Sequence, residues 1–298
     1  MSVRGLARAF RCSPDSILNR CDRLARQEIA AHARLRPRAR RSEEVCIDGF
    51  ISFDRSQFFP AAITIAITSA SRFVLSFTHA TLRRSGSMTE RQKRRRDELY
   101  RGLRFEPRAL ERSFRELLDQ LARDRPPRPG CPLVVVTDEQ LEYARAFRAH
   151  PLFRAQDEAR RVFHLRVSSK LPRTFANPLF ASNYLDRELR KDQAAHRRES
   201  TCFGRNAANG LSRLACYVGW RNYRKRYLIK APAEDRRTHA LEAGIQARAI
   251  ASVRRRLFTR RAFLSLSALD EVETRLWTKG VRTPGKARPD YLPKFAFA

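Results

Sequence analysis

The chain has 298 residues, of which 42% are hydrophobic; that supports one large core or two modest ones and excludes wholesale disorder. Lys plus Arg number 62 against 31 Asp plus Glu, a formal charge of +31, and so large an excess finds relief in a polyanion, which makes nucleic acid the favoured partner. The cysteines (Cys12, Cys21, Cys46, Cys131, Cys202 and Cys216) form no C-x-x-C pair, which argues against a zinc ribbon or a disulfide scaffold and for reduced thiols in a cytoplasmic protein.

The first residues, MSVRGLARAF, lack the apolar stretch of a signal peptide. Val3 to Phe10 reads as a short helix with Leu6 and Phe10 on one face. Ser13 or Asp15 caps a second helix with Pro14 in its first turn, and Ile17, Leu18, Cys21 and Leu24 are spaced for burial. Two short helices split by a polar turn fit a helix-turn-helix-like DNA-binding segment and a plain helical hairpin equally well. Arg34 to Arg41 then reads as a basic linker, closing a first region at residues 1–42.

From Val45 the period becomes that of strands. VCIDGFISF, AAITIAIT and RFVLSF form an antiparallel meander. Pro60, Arg72 and several Ser and Thr interrupt the apolar region Phe58 to Phe77, so no membrane span is expected. A basic insertion occupies 80–127, with RQKRRR in its first part and a helix carrying Leu110, Phe114, Leu117, Leu118 and Leu121 in its second. LVVVTD follows as a buried, parallel strand. EQLEYARAFRA is helical, RVFHLRV is a fifth strand, and a helical stretch from Tyr184 to Tyr223 breaks before Glu199. This order predicts an α/β domain over 43–230, a ribonuclease-H-like mixed sheet flanked by helices. Residues 231–298 read as a basic C-terminal tail, with VRRRLFTRRAFL as one helix.

Asp48 lies inside an apolar strand and Asp138 at the carboxyl end of another. A carboxylate in such a strand is costly to desolvate unless it meets a cation, and ligands of open α/β sheets bind at the carboxyl ends of strands. Glu199 is placed at the first turn of a helix whose buried stripe is Phe203, Ala207, Leu211, Leu214 and Val218. Three convergent carboxylates in a basic protein suit Mg²⁺ or Mn²⁺, and a pair of such ions would serve phosphoryl transfer on DNA.

The segments VCIDGFISFDRSQFFP, LRRSGSMTERQKRRRDELY, VVVTDEQ and AAHRRESTCFGRNAANGLSRLACYVGWRNYRK resemble insertion-sequence transposases of the DDE class. The likeness runs from about Arg11 to Lys230. It implies that Asp48, Asp138 and Glu199 are the catalytic and metal-holding acids. It further implies cleavage and strand transfer at terminal inverted repeats of double-stranded DNA, joining to a target, by a homo-oligomer associated with the nucleoid. Related transposases often open with a Cys-rich zinc-binding module, and its lack here implies an N-terminally truncated copy. The competing expectation is a catalytically decayed or domesticated DNA-binding protein derived from a transposase; a simple ribonuclease-H-like nuclease is a third.

Other residues carry two readings each. His196 either orients Glu199 and the scissile phosphate or is a surface or capping histidine. Arg197 and Arg198 grip phosphate or form a solvated face. Asp186, with Glu188 beside it, is the rival third acid; salt bridging is the plainer role. In WRNYRKRYLIK, Trp220 is expected in the core, and Arg224, Lys225 and Arg226 on DNA. Arg94, Arg95 and Arg96 are expected on the DNA backbone, from a loop.

Overall fold

The computed structural model describes residues 2–154, 161–196, 204–228, 230, 232, 234–260, 262 and 266–286. In chain order the elements are α1 (Val3–Ala9), α2 (Pro14–Leu35), β1 (Val45–Phe53), β2 (Pro60–Thr68), β3 (Val74–Thr81), α3 (Glu90–Tyr100), α4 (Ala109–Asp124) and β4 (Leu133–Asp138). There follow α5 (Leu141–Ala149), α6 (Pro151–Arg154), β5 (Val162–Val167), α7 (Phe180–Asp192), α8 (Ala207–Tyr223), α9 (His239–Glu242), α10 (Ala247–Arg254) and α11 (Glu271–Trp277).

Runs of Val, Ile and Ala in β1, β2 and β4 fit a pleated sheet covered on both faces. The sheet is open and mixed, in the order β3-β2-β1-β4-β5. Its β1–β2 and β2–β3 pairs are antiparallel, and its β1–β4 and β4–β5 pairs parallel. Side chains alternate between faces. Cys46, Phe50, Ile63, Ile65 and Phe77 pack with Leu185 and Leu189 of α7 and Leu211, Leu214 and Val218 of α8. Val45, Ile47, Ala66, Leu75 and Val135 pack on the other face with Phe114, Leu117 and Leu121 of α4 and Tyr143 and Phe147 of α5. The fold is therefore α/β, with helices on both faces of five strands.

Three sequence expectations are corrected. The second N-terminal helix is a 22-residue core element. Its Ala25 and Ile29 join the α7/α8 layer, and its Ala30, Ala31 and Leu35 join the opposite layer. Leu24, expected to be buried, is exposed, and so is Phe10 at the end of the first helix. The stretch expected as a basic linker is the end of this helix and a 3-10 turn, with Arg36 only 3% exposed and bonded to Asp124 at 2.6 Å and Glu273 at 2.8 Å. The third correction is the C-terminal tail. Ala240, Ile245, Ile250, Val253 and Leu257 belong to the same cluster as Val45 and Phe114, and Trp277 belongs to the other. Among the described residues no helix is long and apolar enough to cross a membrane.

A candidate carboxylate site between β1 and β4

β1 and β4 run parallel, with Val45 opposite Val135 and Cys46 opposite Val136. Continuing that register by two residues sets Asp48 beside Asp138. Cys46 and Val136 both face the α7/α8 layer, so the acids two residues on face it too. The β1–β4 ladder stops at Cys46, whereas β4 stays paired to β5 through Asp138 opposite Val167. A crevice therefore opens between the parallel strands where the acids lie, the usual ligand position in open α/β sheets.

The electrostatics report the same closeness. Burial, and then the neighbouring charge of Asp138, push the Asp48 carboxyl up to about 6. A hydrogen bond from the Gly49 amide at 2.7 Å and the charge of Arg173 act in the opposite direction and are outweighed. Asp138 accepts a hydrogen bond from the Gln140 amide at 3.0 Å. Two half-buried carboxylates facing one crevice repel each other, and a divalent cation is the natural remedy.

The site is closed from the other face by Tyr143 of α5. Its ring stacks on Phe114 with centroids 4.7 Å apart. Its hydroxyl lies so near β1 that a Cβ on Gly49 would come within 2.7 Å of it. Burial, and then Asp48, Asp138, Glu142 and Asp186, hold that hydroxyl protonated far above the ordinary tyrosine range. The field of Asp186 thus reaches the same place as those of the acid pair. Asp186 is carried by α7, whose Leu185 and Leu189 pack on the sheet face that bears the pair. Among the described residues no three His, Cys, Asp or Glu side chains converge closely enough to hold a metal ion.

Glu199, Arg197 and Arg198 lie outside the described residues. The helix expected to begin at Glu199 starts at Ala207, where the Asn206 side chain accepts from the Asn209 amide. His196 is neither on the surface nor at a cap. It is 7% exposed, its Nδ1 lies 2.8 Å from Ser52 Oγ, and its ring meets Phe50 edge-on at 5.2 Å. Burial, and then Arg213 and Arg190, lower its pKa to about 4, so it is neutral at physiological pH. Asp48, Phe50 and Ser52 alternate along β1, so His196 lies further along the strand face that carries Asp48. Beyond it, His79 Nε2 bonds Asp54 at 2.8 Å. Ser52, Asp54, His79 and Tyr143 escaped the sequence reading, although a period of two from Asp48 reaches both Ser52 and Asp54.

The basic residues divide. Arg94, Arg95 and Arg96 stand not on a loop but on α3, which opens with a capping box between Thr89 and Gln92. Arg95 pairs with Glu98 at 2.9 Å and Arg96 with Asp97 at 2.8 Å. Lys225, expected on DNA, is bonded to Glu188 at 2.5 Å. Glu188 is also held by the fully buried Arg221 at 2.7 Å, so it plays the expected salt-bridging part. Burial alone would raise the Glu188 carboxyl, but Arg221 and Lys225 outweigh it and lower it. Arg224 is exposed and Arg226 half-buried. Trp220, expected in the core, is 43% exposed with the Lys225 ammonium 5.4 Å from its ring centre.

Compared with known protein families, curated proteins and solved structures, the chain matches none.

Proposed function

We propose that the chain is a metal-dependent transposase of the DDE class, with a ribonuclease-H-like catalytic domain that cuts and rejoins DNA at Asp48 and Asp138. One observation carries the reading. Two carboxylates from adjacent parallel strands face the same crevice, and repulsion between them helps to raise Asp48 to about 6. The sheet order β3-β2-β1-β4-β5, with only its first three strands antiparallel, agrees with the proposed domain.

The donor set fits Mg²⁺ or Mn²⁺, because both groups are hard oxygens in an otherwise basic protein. When bound, such ions supply positive charge to the phosphoryl group under attack and lower the pKa of the attacking water or 3′-hydroxyl. Asp48 and Asp138 hold that charge in place, and Gly49 leaves room for the Tyr143 hydroxyl behind them. Arg173, whose charge reaches Asp48, is placed to draw the phosphate backbone into the crevice. For the third acid, Asp186 is favoured by its field at Tyr143, and Glu199 by the HRRES motif.

The test is Mg²⁺-dependent nicking of DNA carrying the element's ends. Asp48→Asn and Asp138→Asn should each lower the rate by a factor of a thousand or more while DNA binding persists, since loss of ion-held charge removes several kcal/mol of transition-state stabilisation. Asp186→Asn and Glu199→Gln assayed alongside identify the third acid by which one falls equally far. DNA binding by the intact chain with no cutting in Mg²⁺ or Mn²⁺ would replace this reading with a decayed, DNA-binding descendant.

A further inference from the structure

The segment 168–179 joins β5 to α7. It leaves β5 at Val167, the residue paired with Asp138. It ends over β1, where the Cys46 thiol donates to the Pro178 carbonyl at 3.2 Å. The loop therefore runs from β5 past β4 to β1, and the charge of its Arg173 reaches Asp48. It is braced from within by Asn177, which is 8% exposed. The Asn177 Nδ2 donates to the Pro172 carbonyl at 3.0 Å, and its Oδ1 accepts from the Leu179 amide at 2.8 Å. The Asn177 amide also donates to the Thr174 carbonyl at 3.1 Å.

This braced loop presents Phe175, 83% exposed, more than any other large hydrophobic side chain among the described residues. One face of its ring is occupied: Phe180 lies 4.2 Å away between centroids, at 30°. The stack continues inward to Tyr184 at 5.8 Å and then to the Arg72 guanidinium, 5.1 Å from the Tyr184 centre. Phe175 is the solvent end of this ladder. Lys170 and Arg173 flank it on the loop, exposed and without an ion-pair partner among the described residues. A core role is excluded by exposure. Docking of a second copy of a +31 chain on a doubly cationic loop is opposed by charge, whereas a nucleic-acid strand offers both phosphates and π-faces.

We propose that Phe175 stacks its free face on an unpaired base of the DNA strand whose backbone lies over the Asp48–Asp138 crevice. The inference rests on the reading of that crevice as a DNA site. An aromatic ring takes any base, so the contact selects unpaired over paired structure, not a particular sequence.

The experiment uses two duplexes of identical sequence containing 2-aminopurine, one fully paired and one with the analogue opposite an abasic position. The full-length chain should bind the unpaired probe about tenfold more tightly than the paired one, as one stacking contact supplies, and quench its fluorescence. Phe175→Ala should abolish both the preference and the quenching, and Phe175→Trp should keep both. A chain that binds the paired duplex but shows no preference, or a preference intact in Phe175→Ala, overturns the stacking role alone. Failure of the intact chain to bind either duplex overturns the DNA reading itself, and the stacking with it.

Discussion

Asp48 is the residue on which stability and function pull apart. Its carboxyl, at 3.8 in an unfolded chain, rises to about 6 on folding. The folded state then binds its proton more tightly than the unfolded state, so ionising Asp48 costs stability. That cost is absent below about pH 4, grows through the window up to about pH 6, and is full above it. It reaches up to about 3 kcal/mol at neutral pH, at 1.36 kcal/mol per tenfold change in proton affinity. Asp48→Asn should therefore raise the metal-free melting temperature at pH 7 by several degrees and leave it nearly unchanged at pH 4. A variant less stable than the parent at pH 7 would contradict the repulsion. Gly49 offers a second residue-level test. Gly49→Ala drives a methyl against the Tyr143 hydroxyl and should cost about 1–3 kcal/mol by overpacking. Removing that oxygen in Tyr143→Phe should recover most of the loss, measured as a double-mutant cycle in urea; additive losses would show that the two do not touch.

Among the elements, the terminal helices are held by ion pairs that only the fold brings together. Arg36 joins Asp124 of α4 to Glu273 of α11, Arg254 grips Glu28 at 3.1 Å, and Lys279 meets Asp22 at 2.8 Å. Arg36→Met should destabilise by about 2–4 kcal/mol, because it leaves the buried Glu273 without its ion-pair partner, while Asp124 keeps Arg123 at 2.9 Å. A loss below 1 kcal/mol in chemical denaturation would mean that Arg36 is as dispensable as the linker expected there. These elements also mark what was legible. β1, β2 and β4 could be read because β-branched runs seldom form anything else at that length. The latter half of α2 could not, since only Ile29 and Leu35 are large among its buried apolar residues, the rest being Ala25, Ala30 and Ala31, set among arginines that read as solvated. The helices α9 and α11 are short, and their caps, Thr238 and the Asp270–Glu273 box, are signals too brief to stand out in a basic stretch. The acid pair was legible because each Asp interrupts an apolar run. The start of α8 was not, because its apolar stripe projects backwards past Asn206, where capping begins the helix, and Glu199 itself lies outside the described residues.

At the scale of the whole molecule, the acids are spent inward. Asp22, Glu28, Asp124, Glu188 and Glu273 are all buried and all paired with Arg or Lys. The remaining cations dominate the surface of a chain already at +31. Binding to arbitrary duplex DNA should weaken about a thousandfold or more between about 50 and 200 mM salt if six or more phosphates are neutralised. Replacing Arg94, Arg95 and Arg96 with Ala should flatten that slope; an unchanged slope would remove α3 from the DNA path. Acid lability is a second global property. Burial is the first cause lowering His32 to about 3, His196 to about 4 and His239 to about 2, all below the unfolded value of 6.5. The unfolded chain binds more protons at these positions, so their contribution is full above about pH 6.5 and is lost progressively as pH falls. Stability should therefore drop on acidification despite the opposite trend at Asp48, and a melting temperature that rises steadily from pH 7 to pH 4 would contradict the buried neutral histidines.

The most direct test of the central claim is a Mn²⁺ titration of the DNA-free chain, followed by electron paramagnetic resonance across pH. If Asp48 and Asp138 hold the ion, protons and metal compete for Asp48, and affinity should fall about tenfold per pH unit below about pH 6. In Asp48→Asn and Asp138→Asn the binding should be at least a hundredfold weaker at pH 7. Mn²⁺ affinity equal in both variants and the parent would contradict a metal site between β1 and β4.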